Sequence, residues 1–423
     1  MPQAPPDRAP FAETRTRFPS STVEFADGAT SVGAAQAERA PARESSASEF
    51  RRVSSSTTTA QTTNSAALKS IAHSANFPQP EQRLAIPCRE LSPDRAAANP
   101  EAVKDIRYGL LLPAGQAQLA AGGSAHALLD LVVTAEQRGF DSAWVGDSLL
   151  RARIEPLTLL AAAATATERI ILGTAALIPA YRNPVHTALT LTSLDLLSRG
   201  RIVLGVGAGF PGISEPEFEL SGVDFRTRFA YLDDTVRLWR QLWSGNSNPF
   251  HGKVLHYDWL PEVPRPHRPG GPPIWLAGIT PAALRRTGRL YDGWLPYPPD
   301  VRDYESGLTA IHAASTAAGR DEASITPALF ATVYIDDDPV RGRAALADYC
   351  EATYRMPLEQ VEQIQVMMTG STEQVAAQLD QYVQAGARHL LIRIATLTPE
   401  AFTTQLDQAT ALIERSRPAI PPL

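Results

Sequence analysis

The sequence predicts an α/β protein, a single (β/α)8 TIM barrel, and three observations carry that expectation. From Asp105 onward, apolar runs of strand length alternate with helical stretches. Eight such runs occur, each followed by helix. The runs are continuously apolar rather than alternating, as befits strands buried on both faces. An open doubly wound sheet is the rival, but eight even βα units in about 310 residues favour the barrel.

Taken in order, "IRYGLLLP" is the first strand, followed by "SAHALLDLVVTAEQRGF", a helix with Ser124 as N-cap and Gly139 as its stop. "DSAWVGD" is the second strand and "EPLTLLAAAATATE" its helix. "RIILGTAAL" is the third, and "NPVHTALTLTSLDLLSRG" is a helix closed by Gly200. "RIVLGVGAG" is the fourth strand, followed by the long amphipathic helix "DFRTRFAYLDDTVRLWRQLW". Residues 244–272 interrupt the alternation with a Pro-, Gly- and His-rich, helix-poor insertion. The pattern resumes with strands "PPIWLAG", "DGWLPY", "ITPALFATVYI" and "RHLLIRIAT", and ends in a helix from Pro399 to about Arg417.

Residues 1–104 are different: rich in Ser, Thr and Ala, sprinkled with Pro, and without period. Such a segment buries too little apolar area to offset its ordering entropy, so it is expected to be disordered. Two readings stay open, a regulatory tail or upstream sequence translated from a misplaced start codon. Recurrent Glu and Asp argue against a targeting peptide. The net charge of -6 argues against a dedicated nucleic-acid binder. Two cysteines, Cys88 and Cys350, are too few for a disulfide scaffold or zinc cluster and fit a reducing, cytoplasmic setting. No apolar run approaches the roughly 18 residues of a membrane span.

In a barrel, chemistry sits at the C-terminal strand ends. Strand two ends in Asp147 and Ser148, strand three in Ala175 and Ala176 before "LIPAYRNP", strand four in Gly207 and Gly209, strand five in Gly278, Ile279 and Thr280. Each has a bland reading. Asp147 is a common turn residue; Tyr181 and Arg182 suit a solvated loop; the glycines suit bulges; His186, one turn into a helix, suits packing or capping. The histidines of "HGKVLH" have no partner cluster, so no metal is expected. The functional reading gains weight because four consecutive strands have unusual ends on one face. Thr280-Pro281 opens a helix, and the free amides of Gly278, Ile279 and Thr280 would form a phosphate site without a lysine.

"RIVLGVGAGF" is not a dinucleotide fingerprint. Its spacing is Gly-x-Gly-x-Gly, and "PGISEPEFELSG" follows with two prolines and no immediate helix. Gly207 and Gly209 end the fourth strand at the expected mouth of the barrel.

Taken together, "GFDSAWVGD", "RIILGTAALIPAYRNPVHTA", "LDLLSRGRIVLGVGAG", "IWLAG" with "AALRRTGRLYDGW", and "GSTEQVAAQLDQYVQAGARHLL" resemble the luciferase-like monooxygenases, colinearly over residues 105–417. That superfamily of barrels includes bacterial luciferase, FMN-dependent monooxygenases and enzymes of the deazaflavin coenzyme F-420. The resemblance implies a non-proline cis peptide at Ala175–Ala176 under the flavin ring, and that Gly207 and Gly209 are small because this flat ring lies beside them. It places Asp147 near the cofactor and the phosphate on Gly278 and Ile279, with Arg228 meeting the phosphate in FMN-using members. It also implies that the insertion shapes the substrate pocket and that the chain forms a homodimer. The leading expectation is oxidation of a small organic substrate with oxygen and reduced FMN from a separate reductase. Hydride transfer with coenzyme F-420 is the alternative, and a non-catalytic flavin-binding barrel a second. Two departures matter. Ser148 replaces the histidine many members carry, and a serine is no proton acceptor at neutral pH without help; Asp147, His186 and Tyr181 remain as acid–base candidates. Gly207 stands where bacterial luciferase has a cysteine, so light emission is not implied. Deleting residues 1–100 is expected to leave cofactor affinity and melting temperature nearly unchanged; a large loss in either would make that segment structural.

Overall fold

The computed structural model describes residues 106–211 and 213–416. The expected tail at 1–104 and Cys88 lie outside the described residues. All eight anticipated barrel strands are present: β1 (Arg107–Leu111), β2 (Ser142–Val145), β3 (Ile171–Leu177), β4 (Ile202–Val206), β7 (Ile274–Leu276), β8 (Gly293–Trp294), β9 (Thr326–Ile335) and β11 (His389–Ile394). They pair in parallel in the order β9-β11-β1-β2-β3-β4-β7-β8, and a β8–β9 pairing closes the ring. The barrel, not the open sheet, is the fold.

The helices that return the chain between strands follow their local chemistry. They include α2 (Ala125–Gln137), α3 (Pro156–Ala166), α4 (Pro184–Leu197), α6 (Arg228–Trp243), α7 (Pro281–Leu290), α8 (Val301–Ala317), α11 (Thr372–Gln384) and α12 (Pro399–Ser416). Ser124 Oγ accepts from the Ala127 amide at 3.1 Å, capping α2 as its sequence predicts. Pro156, Pro184 and Pro281 open their helices, where a missing N–H costs nothing.

Several elements were not anticipated. A short α1 (Gln116–Ala120) follows β1, and α5 (Glu215–Leu220) follows β4. Residues 336–370, which the periodicity left unassigned, form α9 (Pro339–Tyr354), α10 (Leu358–Val361) and β10 (Met367–Gly370). The buried stripe of α9 is narrow and includes Gly342, which blurs its period. β8 pairs with β9 only at Thr326 and Pro327, and β10 pairs with β9 from Thr332 to Ile335. The insertion at 244–272 carries a two-stranded hairpin, β5 (Phe250–His251) with β6 (His256–Tyr257). Buried Asp234 of α6 holds it by accepting from the Val254 and Leu255 amides at 2.7 and 3.1 Å.

Three buried apolar clusters pack the described residues. The largest lies between strands and helices; a second fills the barrel with Trp144, Val203, Trp275, Leu295, Ala328, Phe330 and Leu391; a third joins α9 and α10 through Leu346, Tyr349, Cys350, Leu358 and Val361. Trp144 and Trp275 approach to 5.2 Å between centroids, and the His389 ring meets both edge-on. Space for them comes from glycine: a Cβ on Gly173 would lie 2.2 Å from Trp144, and one on Gly293 2.3 Å from Trp275. Trp144 Nε1 donates to Ser142 Oγ at 2.7 Å, leaving the serine hydroxyl to donate to His389 Nε2 at 2.7 Å.

Burial, with a smaller push from Arg107, drives the His389 imidazole down to about 3. It is therefore neutral in the fold, whereas in the unfolded chain it gains a proton below about 6.5. A depressed folded value means stability is full above the unfolded value and falls as the pH drops. By pH 5 the loss from this one group is about 2 kcal/mol. Urea unfolding at pH 7 and pH 5 should show that loss, and His389→Gln should flatten it; equal slopes in both proteins would clear His389.

Candidate functional site

The βα connections gather at the C-terminal end of the barrel around a cavity of about 370 Å3. Its walls come from the loop after β2 (Gly146 to Arg153), the end of β3, the loop after β4 with α5, Ala277 after β7, Tyr297 after β8, the segment around α10, and Arg393 of β11.

Asp147 lies in this wall with its side chain 2% exposed. Oδ2 accepts from the Ile178 amide at 3.0 Å and from Arg182 Nη1 at 2.6 Å; Oδ1 accepts from Arg182 Nη2 at 3.0 Å. Arg182 also reaches Glu155 at 2.7 Å. Both oxygens of Asp147 are thus taken, and the carboxylate ties the β2 loop to the β3 loop. That arrangement anchors two loops and leaves little capacity for a free base.

A carboxylate that the sequence reading passed over organises the rest. Glu217, on α5 and 5% exposed, receives four donors. Ser148 Oγ and the amides of Leu149 (2.7 Å) and Leu150 (3.2 Å) donate to Oε1, and the Tyr181 hydroxyl donates to Oε2. Burial works to raise the Glu217 carboxyl, but the donors, Ser148 and Tyr181 first, outweigh it, so the net shift is downward. The Tyr181 phenol moves the other way: burial, then its bond to Glu217, raises it well above its ordinary value. Tyr181 is therefore a proton donor here, not a base. The signal for Glu217 was present in "SEPEFEL". Proline in the first turn after a serine starts helices rather than preventing them.

The Ala175–Ala176 peptide is cis, at a shift in the β3–β4 register, and both alanines line the cavity. The three glycines of β4 and its loop have three different causes. A Cβ on Gly205 would lie 2.2 Å from the Thr174 carbonyl, so close strand packing requires it. Gly209 has φ +76°, and a Cβ there would press on Ser214 and Phe218 at 2.9 Å. Gly209 also lines the cavity, but backbone and packing suffice to require a glycine there without a ring. Gly207 faces the cavity, where a Cβ would meet only Ile178 (3.2 Å) and Ala176 (3.5 Å).

Ala277 lines the cavity and leads directly into Gly278 (φ +142°), Ile279 and Thr280, the N-cap of α7. Thr280 Oγ1 accepts from the Ala283 amide at 3.2 Å. The amides of Gly278, Ile279 and Thr280 meet no acceptor among the described residues, so they stand open at a helix start. Other candidates fall elsewhere. His186 is exposed on the first turn of α4, outside the cavity wall. Arg228 is sandwiched over Phe225 and Phe229 at 4.1 and 4.3 Å, and donates to the Phe225 carbonyl at 3.0 Å. No residue of 244–272 lines the cavity, because this segment joins α6 to the N-terminal end of β7, the face opposite the mouth. Three arginines that were not anticipated, Arg151, Arg153 and Arg393, do line it. Among the described residues, no group of three or more His, Cys, Asp or Glu is placed to hold a metal ion, and no helix is long and apolar enough to cross a membrane.

A closed parallel barrel with its polar groups and open helix N-terminus gathered at one mouth is the arrangement of a (β/α)8 enzyme site. The luciferase-like monooxygenase family model matches residues 106–389, and the chain belongs to that family. It is 30% identical over 308 residues to an F-420-dependent glucose-6-phosphate dehydrogenase of Kineococcus radiotolerans, covering 66% of this chain and 90% of the relative. Its fold is similar to that of an F-420-dependent secondary alcohol dehydrogenase in complex with an F-420–acetone adduct (TM-score 0.64, 19% identity, 74% of this chain and 100% of the other). It is also similar to the oxygenating constituent of 3,6-diketocamphane monooxygenase of Pseudomonas putida in complex with FMN (TM-score 0.60, 18% identity, 75% and 100%).

Glu217→Ala removes one acceptor from two amides and two hydroxyls together. The expected cost is about 2–4 kcal/mol in denaturant unfolding, with Glu217→Gln, which keeps one carbonyl oxygen, costing about half as much. Near-zero losses in both variants would show that Glu217 does not anchor the mouth.

Proposed function

We propose that this flavin- or deazaflavin-dependent oxidoreductase uses coenzyme F-420 and moves a hydride between the coenzyme and a small organic substrate. The observation that carries this reading is the continuity of the cavity with an open helix start. A flat ring fits against Gly207, Ala175 and Ala176, and Ala277 leads from it to the free amides of Gly278, Ile279 and Thr280, which suit a phosphate. The relative that covers 90% of its own length in the match is named for F-420, which moves the weight from FMN and oxygen to hydride transfer. When bound, the deazaflavin supplies the two-electron hydride chemistry.

The chain's residues bind, orient and exclude water. Asp147 and Glu217 lock the loops after β2, β3 and β4 together before any ligand arrives, so the mouth is preorganised. Ser148, where a histidine is common in the family, is held by Glu217. Because Ser148 Oγ donates to Glu217, its free lone pairs face the cavity, where they would accept a hydrogen bond from a substrate hydroxyl and orient it for hydride transfer. Because its donors hold Glu217 below the usual carboxylate range, it keeps its charge and its hold on Ser148 throughout the neutral range. His186 has no part in this reading.

An FMN-dependent monooxygenase is the second reading, favoured by the fold shared with an FMN complex. The placement of Arg228 between two phenylalanines lends it less support. Reconstitution decides between them. The full chain should quench F-420 fluorescence with an affinity at least about tenfold tighter than for FMN, and pass hydride between F-420 and members of an alcohol and ketone panel. Gly207→Leu should abolish that binding while circular dichroism and melting stay unchanged. Tighter FMN binding with oxygen consumption would establish the monooxygenase, and binding of neither cofactor would sink both. Binding with no turnover on either panel would leave a non-catalytic flavin-binding barrel.

A further inference from the structure

Three guanidinium groups line one side of the mouth, and none of them is within ion-pair distance of a carboxylate among the described residues. Arg151 and Arg153 follow β2, and Arg393 projects from β11; all three line the cavity. Among the described residues, none of them forms an ion pair. Arg151 donates to the Thr353 carbonyl at 2.6 Å and Arg393 to the Tyr354 hydroxyl, both neutral acceptors. The Nε atoms of Arg153 and Arg393 are buried and have no hydrogen-bond partner.

The two carboxylates in the wall offset this charge only in part, and neither is within ion-pair distance of the three guanidinium groups. Asp147 is already matched by Arg182, and Glu217 is spent on neutral donors. Burial lowers the Arg153 guanidinium from its ordinary value; Asp147 opposes the shift, Arg393 and Arg151 add to it, and Glu217 opposes it more weakly. Arginine remains charged all the same, so the cluster holds like charges together at a cost that an incoming anion would relieve. Arg151 and Arg153 also line a neighbouring chamber of about 560 Å3 that shares Ser148 and Glu217 with the mouth cavity. They stand at the passage between the two.

Topology separates this cluster from the phosphate turn. In the closed ring, β2 and β11 flank β1, and β7, which carries the turn, lies four strands from β1 on the far side. We propose that Arg151, Arg153 and Arg393 form a second anion site that holds a carboxylate or phosphate group of the substrate, across the mouth from the turn at Gly278–Thr280. Assignment of the anion to a substrate rests on the oxidoreductase reading above; the anion site itself does not.

The test uses the full chain without coenzyme, at constant ionic strength set with chloride. Inorganic phosphate and butanedioate are titrated by calorimetry and by thermal shift, with butane-1,4-diol as the neutral control. The expected result is saturable binding of at least one anion and none of the diol. Arg153→Gln and Arg393→Gln should each weaken it by about tenfold or more, and Arg393→Lys, which keeps charge but loses the planar fork, by less. Whichever anion binds tighter identifies the group as phosphate or carboxylate. F-420 affinity, measured separately, should change less than about threefold in the same variants. No saturable binding overturns the proposal, as does phosphate that stays bound in both Gln variants, which would place it at the turn. An equal loss of F-420 affinity would assign the arginines to the coenzyme. If the wild-type chain binds neither F-420 nor FMN, the oxidoreductase reading fails while the anion titrations still decide the site. Far-UV circular dichroism checks each variant, and Arg151→Gln serves if one of the others does not fold.

Discussion

The filling of the barrel interior is the constraint on which the rest depends. Eight strands enclose a space that must be packed with side chains, since an apolar void forfeits contacts on every face that lines it. Here Trp144 and Trp275, with His389 wedged edge-on against both, fill the lower part, and Phe330 continues upward. Glycines on neighbouring strands admit the indoles, and Ser142 satisfies both ring nitrogens that face it. The plug is therefore apolar in bulk and closed in its hydrogen bonds. It gives the mouth a rigid floor, and the strand ends above it can be small or polar without opening the core.

On that floor, two carboxylates do structural work of the same kind. Loops are inexpensive to lengthen but costly to hold in one shape. Asp147 and Glu217 hold them by taking two or more donors each from segments distant in sequence. A carboxylate whose oxygens are already taken by donors has little left to offer a substrate proton. This accounts for why Asp147, the acid most visible in the sequence, is better suited to orienting the site than to proton transfer, and why the Ser148 hydroxyl attached to Glu217 is the group left to meet a substrate.

The barrel was legible because its strands are buried on both faces and read as unbroken apolar runs between capped helices. Ser124, Pro184 and Thr280 act within one turn of themselves, so their roles could be read locally. The position of the cis peptide came from family resemblance, not from any local rule. What stayed illegible depends on distance along the chain. Ser148 and Glu217 are 69 residues apart, and Arg151 meets the Thr353 carbonyl across 202. No periodicity announces such pairs. Helix α9 failed for a different reason, a buried stripe too narrow to stand out. The stretch "LGVGAG" shows both limits at once: three similar glycines answer to a strand carbonyl, a cavity and a left-handed turn, and only the folded backbone tells them apart.

The replacement of histidine by Ser148 changes the electrostatics of the mouth as well as its acid–base chemistry. An imidazole beside Glu217 would be drawn toward its protonated form and would form an ion pair with it. A serine brings no charge, so Glu217 remains the sole anion in the wall that is not paired with a guanidinium. It is consumed by neutral donors rather than by Arg153 or Arg151. The arginines are thereby left without an ion pair among the described residues. The neutral residue at 148, the four-donor carboxylate at 217 and the unpaired guanidinium groups are thus one arrangement, in which satisfying the acid locally keeps the cations free to meet a ligand.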